Sequence, residues 1–334
     1  MTSASEHGAH VAIIGAGVAG LAAAARLSLA GHRVTVFEKS KGLGGRLATR
    51  RGDAGDFDHG APGFVVSDPG FARVVEAARI AGGAVAWPGG RHNLLTQSEG
   101  TAFTGLPGAS GFARALAATL PGGKVTIRHG ATIDRVARAA PGWQLADVTA
   151  DALLLAIPAP QAAALLTDVH PGLATRAASV PMVAVMTAML GFERQIDPHA
   201  VANGPGSPII AKAILHSTKP GRAGEPLQRW VVHATPDWSA AHADDSKEAI
   251  ALDLAAAFSA ASGAPAAAHA AGHRWRYAYA ALPLGEAAPG DDRMRLALAG
   301  DWCLGDGVEH AWRSGHSAAG RVIAALDRAA PSAR

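Results

Sequence analysis

Cysteine is nearly absent: the 334-residue chain carries one, Cys303. A single thiol excludes an intramolecular disulfide and leaves no Cys cluster for zinc, a usage that fits a reducing compartment. Charge is sparse as well, with Asp, Glu, Lys and Arg making up 17% of residues and a net charge of only +3. The arginines are dispersed and form no basic block, so nothing marks a nucleic-acid surface. A membrane span is also missing. The apolar run Val11–Leu29 is broken by glycines and by Arg26, and the polar segment Met1–His10 before it lacks the basic n-region of a signal peptide. These absences predict a cytoplasmic protein with no metal site, no nucleic-acid partner and no membrane partner.

What is present is glycine, alanine and an ordinary 49% of hydrophobic residues, in a chain long enough for two domains with buried cores. The organising stretch is VAIIGAGVAGLAAAARLSLAGHRVTVFEKSKGLGGR, Val11 to Arg46. Val11–Ile14 is a short β-branched run of buried-strand type, broken at Gly15. Gly15 permits the tight turn, Gly17 lets the backbone approach a pyrophosphate, and Gly20 lets the following helix, Leu21–Ala30, pack on the strand. Free N–H groups and the dipole at that helix start favour an anion. A second strand, Arg33–Phe37, ends in Glu38, placed to accept hydrogen bonds from a ribose. Strand, turn, helix, strand and acid within one βαβ-sized unit predict a dinucleotide site.

The continuation Lys39-Ser40-Lys41-Gly42-Leu43-Gly44-Gly45-Arg46 resembles the glycine-glycine-arginine extension of flavoproteins of the amine oxidase and glutathione reductase type. The resemblance implies FAD rather than NAD, with Lys39, Gly45 and Arg46 beside the cofactor. Further on, Phe57-Asp58-His59-Gly60-Ala61 resembles the segment that passes the flavin ring in amine oxidase-like chains. By that likeness Gly60 and Ala61 contact the cofactor. His59 is the one group there that titrates near neutrality, and a structural role for it stays open beside a catalytic one.

Downstream, the pattern predicts helices at Asp68–Ala81 and Ser110–Leu120, a loop-rich Gly82–Pro107 with Trp87, His92 and Asn93, and strands at Lys124–Arg128, Ala131–Ala137, Trp143–Val148 and Ala152–Ile157. A helix at Gln161–Leu166 follows. Val183–Phe192 and Gln228–Ala234 read as strands of a mostly antiparallel sheet, because no βα alternation links them. Asp245 or Ser246 caps a helix to Ser262 with Ile250, Leu254 and Phe258 inward. Leu296–Ala299 is a strand, and Ser317–Ala329 the closing helix. Lys219 and Arg222 flank a Pro-Gly turn and read most simply as two surface charges. Trp275 and Tyr277 alternate with Arg274 and Arg276, so each pair shares a strand face.

The blocks Ser217–Arg222, Trp230–Ser239, His273–Ala278 and Gly300-Asp301-Trp302-Cys303, together with the N-terminal unit, resemble the bacterial renalase-like family of FAD-dependent oxidoreductases. The resemblance implies an α/β fold with a Rossmann-like FAD-binding domain of the p-hydroxybenzoate hydroxylase/amine oxidase type, over 1–75, 105–160 and 290–334. A smaller α+β substrate domain on a mainly antiparallel sheet takes 76–104 and 161–289. It implies noncovalent FAD held also by Ile133, Gly300, Asp301, His310, Ala311 and Gly315, with His310 standing where the family carries Gly. His59, Trp275 and Tyr277 are the candidates to face the substrate, with a role of Trp275 and Tyr277 as inter-domain core aromatics left open. The implied reaction is hydride transfer from a small reduced substrate, 2- or 6-dihydro isomers of NAD(P), to flavin N5, with O2 as acceptor. An amine oxidase and a non-enzymatic flavoprotein are the alternatives. One departure stands at the active face: His59-Gly60-Ala61-Pro62-Gly63-Phe64 replaces the family's His-Gly-Ala-Gln-Tyr-Phe.

Overall fold

The computed structural model describes residues 8–88, 101–197, 207–222 and 226–329. His92 and Asn93 lie outside these. The chain divides into two compact units, 1–45, 113–181 and 280–334 in the first and 46–112 and 182–279 in the second. Residues 46–75 cluster with unit 2.

Unit 1 is built on a six-stranded sheet. In spatial order its strands are Gly290–Asp291, Leu296–Leu298, Ala152–Leu155, β1 (His10–Ile14), β2 (Arg33–Glu38) and Val125–His129. All neighbours pair in parallel except the Gly290–Asp291 edge strand. Val11–Ile14 and Leu153–Leu155 are buried throughout, as continuous apolar strands covered on both faces should be. Helix α1 (Val18–Leu29) follows the glycine turn, starting three residues before the expected Leu21.

The closing helix spans Val308–Ala329, beginning nine residues before the predicted Ser317. Gly315 is the physical reason. It reads as a helix-start residue, yet a Cβ there would lie 2.0 Å from the Ala19 carbonyl oxygen, so glycine lets this helix meet the backbone of α1. Ala19, Ala23 and Ala24 of α1 and Ala318 and Ala319 of the closing helix fill the same core cluster. Small side chains are what allow two helix backbones so close.

Two further expectations are corrected. Trp143–Val148 is not one strand but parts of a hairpin, Gly142–Leu145 paired with Val148–Ala150 and turned at Ala146 with φ 47°. Of Ala131–Ala137 only Ala137 is in a strand, Ala137–Ala139, because the segment before it is drawn to the end of β2 instead, Ala131 N–H donating to the Glu38 carbonyl at 2.9 Å.

Unit 2 carries a four-stranded antiparallel sheet in the order Ile210–Leu215, Gln228–Ala234, Met182–Phe192 and His269–Ala280. The helix Lys247–Ser262 covers it, capped by the Ser246 side chain on Ala249 N–H and burying Ile250, Leu254 and Phe258. The stretch expected as loop holds the strands Ala84–Ala86 and Thr101–Gly105, which join Phe64–Val66 in a three-stranded sheet. No helix among the described residues is long and apolar enough to cross a membrane.

The helix contact yields a test. Gly315→Ala is expected to destabilise by about 1–3 kcal/mol through overpacking, outweighing alanine's helix-propensity gain of about 1 kcal/mol. Gly122→Ala, where no atom lies within 4 Å of the added methyl, should move urea unfolding by less than about 0.5 kcal/mol.

Candidate functional site

In unit 1 the glycine turn and the end of β2 form a preorganised cradle. Gly15, at φ +102°, donates its N–H to the Phe37 carbonyl at 2.8 Å. A Cβ on Gly20 would lie 1.9 Å from the Gly15 carbonyl oxygen, so the helix start can close on the turn only with glycine there. At Gly17 the added methyl would meet nothing within 4 Å: the space above the start of α1 is open. Gly17 caps α1 with no side chain on the first N–H groups, and the first turn carries no acid. This is the donor set that suits a pyrophosphate. Gly45, at φ +55°, lies against Gly17, where a Cβ would sit 3.8 Å from the Gly17 Cα, and Gly44 N–H donates to the Ala16 carbonyl at 3.0 Å. The two glycine motifs of the sequence thus meet around one opening.

Glu38 is buried, and its carboxylate accepts from Ala16 N–H at 2.9 Å and Ser40 N–H at 2.8 Å. These bonds clamp the turn and the following loop to β2 and leave lone pairs on both oxygens for ribose hydroxyls. Lys39 is exposed. Ile133 is half-buried in the segment that Ala131 anchors to Glu38.

The C-terminal residues assigned to the cofactor separate into two roles. Gly300 N–H donates to Ser314 Oγ at 3.0 Å, and a Cβ on Gly300 would lie 2.4 Å from Trp302 Nε1. Asp301 is buried and accepts Trp302 N–H at 2.9 Å. His310 and Ala311 stand in the first turn of the closing helix, where the His310 ring bonds the Asp306 carbonyl through Nδ1 at 2.8 Å and packs over Gly305. Gly315 lies within the helix, against α1. Its glycine is explained by that packing. Cys303 is fully buried, and burial first, then Asp301 and Glu286, pushes its thiol up to about 12. Such a thiol supplies no thiolate for a covalent flavin link.

Unit 2 holds a charge cluster that the sequence reading missed. Lys219 and Arg222, expected on the surface, are 3% and 6% exposed. The Asp58 carboxylate accepts from Lys219 Nζ at 2.7 Å, Thr49 Oγ1 at 2.7 Å and Ala109 N–H at 2.9 Å, with Arg222 Nη2 at 3.5 Å. Asp58 N–H in turn donates to His216 Nε2 at 3.3 Å. Burial would raise the Asp58 carboxyl, but the Lys219 ammonium and these hydrogen bonds outweigh it and hold the group well below the usual carboxylate range.

One residue on, His59 is buried within an aromatic group. Its ring stacks on Trp275 with centroids 5.2 Å apart and meets His273 edge-on at 4.6 Å, while Trp275 Nε1–H donates to the His59 carbonyl at 2.9 Å. His273 and Trp275 alternate on the strand His269–Ala280, and Tyr277, half-buried, follows on the same face. Arg274 and Arg276 turn the other way, to the Asp245 carbonyl at 3.1 Å and the Asp244 carboxylate at 3.7 Å. Burial lowers the pKa of His59, pushes His273 to about 4 with help from His59, Lys247, Arg50 and Arg274, and pushes the half-buried His233 to about 3. The imidazoles are neutral near pH 7. His273 opens the segment His273–Ala278, and only its register with Trp275 singles it out.

Gly60 and Ala61 are tied to Arg46. Ala61 N–H donates to the Arg46 carbonyl at 2.8 Å, and a Cβ on Gly60 would lie 2.0 Å from that oxygen and 3.1 Å from the Trp275 ring. Arg46 itself donates from Nη1 to the Ala278 carbonyl at 2.6 Å. At Gly63 a Cβ would lie 2.5 Å from the Phe103 carbonyl oxygen and 3.0 Å from the Trp87 indole. Trp87 fills that space and bonds the Thr218 carbonyl through Nε1 at 2.9 Å.

Removing the Asp58 charge leaves buried cations uncompensated, so Asp58→Asn should cost about 3–5 kcal/mol at pH 7 by urea unfolding. A carboxyl held low in the folded state stabilises above about pH 3.9 and loses that contribution as pH falls through its folded value. The gap between the variant and the wild type should therefore narrow below pH 4. In protein labelled with nitrogen-15 at histidine, the ring nitrogens of His233 and His273 should keep neutral-imidazole shifts at pH 5.5, where an exposed histidine is mostly protonated. Protonated shifts there would remove the neutral assignment.

Comparison with known proteins agrees with this geometry. Residues 13–84 match the NAD(P)-binding Rossmann-like domain, and residues 85–323 match the flavin containing amine oxidoreductase family. A 4,4'-diapophytoene desaturase of Staphylococcus haemolyticus is 50% identical over 58 residues, 17% of this chain and 12% of the desaturase. The chain thus matches about a tenth of the length of that relative. A protein of Exiguobacterium sp. 255-15 assigned as a protoporphyrinogen oxidase superposes with a TM-score of 0.73 at 16% identity, covering 97% of this chain and 99% of its own. Reduced UDP-galactopyranose mutase gives 0.72 at 13% identity, over 95% and 94%. These structures share the fold. With the family match covering more than half the sequence, the chain belongs to the flavin containing amine oxidoreductase family.

Proposed function

We propose that this flavoenzyme oxidises 2- or 6-dihydro isomers of NAD(P) to NAD(P)⁺, with O2 as the acceptor. FAD, held noncovalently by unit 1 through Gly15, Gly17, Gly20, Glu38 and the Gly44-Gly45 turn, supplies the hydride-accepting ring. In balance, the dihydronicotinamide loses a hydride, and the two electrons and one proton of that hydride, with one proton from solvent, convert O2 to H2O2.

The observation that carries the substrate reading is the character of the His59–His273–Trp275 group. It is aromatic and uncharged, with the Trp275 indole stacked on the His59 ring, and the nearby cations Arg50, Lys247 and Arg274 act on its histidines. A neutral dihydropyridine ring suits the aromatic surface, and its phosphates suit the positive field. A protonated amine is disfavoured by the same field. Trp275 fixes the His59 backbone, and Tyr277 continues the wall. The Gly63 departure supports neither loss of function nor a sensor role, because Trp87 restores the missing volume.

The test is anaerobic stopped-flow mixing of the FAD-loaded protein with 6-dihydroNAD, 2-dihydroNAD, ordinary NADH and a set of small amines. Rapid bleaching of flavin absorbance by a dihydro isomer alone is expected, and Trp275→Leu should weaken that reaction about tenfold in rate over half-saturation concentration. Bleaching by an amine alone would make the protein an amine oxidase. No bleaching by any donor would discard the substrate reading.

A further inference from the structure

Away from the residues assigned to cofactor and substrate, His242, Asp245 and Asp253 of unit 2 converge with their ligand atoms all within 4.8 Å of one another. His242 caps the C-terminus of the short helix Pro236–Ala241, Asp245 lies in the following turn, and Asp253 stands on the exposed side of the helix Lys247–Ser262. The imidazole is held from two sides. Its Nδ1 bonds the Trp238 carbonyl at 2.8 Å, and its ring stacks on the Trp238 indole with centroids 3.9 Å apart and planes 12° apart. A carbonyl acceptor on Nδ1 requires the proton there, which leaves the Nε2 lone pair for a ligand. Histidines that bind metals are oriented in this way.

The carboxylates complete the arrangement. Asp245 is tied through its backbone, its N–H donating to the His242 carbonyl at 3.3 Å and its carbonyl accepting from Arg274 at 3.1 Å. Among the described residues, neither the Asp245 nor the Asp253 carboxylate has a hydrogen-bond or ion-pair partner, although the neighbouring Asp244 has Arg276. Two unpaired carboxylates beside an imidazole lone pair repel each other until a cation enters.

We propose that His242, Asp245 and Asp253 bind one divalent transition cation of the zinc type, with water at the remaining position. An imidazole with two carboxylates selects zinc-like ions over Mg²⁺ and Ca²⁺, which take all-oxygen sets. The bound ion ties the end of the short helix to the long helix that covers the unit 2 sheet. The assignment does not rest on the substrate reading.

The test is equilibrium dialysis of the FAD-loaded protein against micromolar Zn²⁺ followed by metal analysis, with thermal unfolding in parallel. The wild type and His129→Gln, an exposed histidine elsewhere, should retain the same zinc and show the same saturable rise in unfolding temperature. His242→Gln and Asp253→Asn should each bind one equivalent fewer, or bind it at least about tenfold more weakly, and lose the temperature rise. Folding of each variant is checked by its retained FAD absorbance. Zinc retention unaffected by both substitutions, or no zinc bound by the wild type, would overturn the proposal. Displacement by millimolar Mg²⁺ would overturn the choice of cation.

Discussion

The ion pair between Asp58 and Lys219, 161 residues apart and both almost fully buried, is the constraint on which unit 2 depends. Charges so enclosed are costly unless every oxygen and proton is engaged. Asp58 offsets part of that cost by accepting from the Thr49 hydroxyl, the Ala109 amide and the ammonium, with the Arg222 guanidinium 3.5 Å away as a second countercharge. Segments distant in sequence are thereby fastened at one residue, and its neighbours are His59 and Gly60. The aromatic group of His59, His273 and Trp275 is anchored at its first residue by a buried charge network.

Unit 1 uses the opposite device. Its key contacts involve no charge but the removal of side chains: Gly20 on the Gly15 carbonyl, Gly315 on the Ala19 carbonyl, and Gly17 facing open space. The first two bring backbone onto backbone, and the third leaves amide hydrogens available to an anion. Glu38 joins these effects, since its carboxylate holds the turn and the loop in place before any cofactor arrives.

Legibility in the sequence followed the range of the interactions. The βαβ unit was readable because Gly15, Gly17, Gly20 and Glu38 act on one another within a few turns of chain, and local spacing records that. The alternation of Arg274, Trp275, Arg276 and Tyr277 was readable for the same reason. Lys219 and Arg222 were misjudged because a Pro-Gly turn flanked by cations carries no trace of a carboxylate so far upstream. The start of the closing helix was missed because glycine has two meanings, helix boundary or close contact, and the partner carbonyl of Gly315 belongs to another helix. The strands beside Trp87 were hidden because Ala84–Ala86 is short and its partner lies across residues that read as loop.

Trp87 and Gly63 occupy one volume between them. Substitutions at the two positions are therefore epistatic: an aromatic at 63 is admissible only in a background with a smaller side chain at 87, and the reverse exchange must pass through an overfilled or a hollow intermediate. Because the Trp87 indole also bonds the Thr218 carbonyl, next to Lys219, that exchange reaches the buried pair.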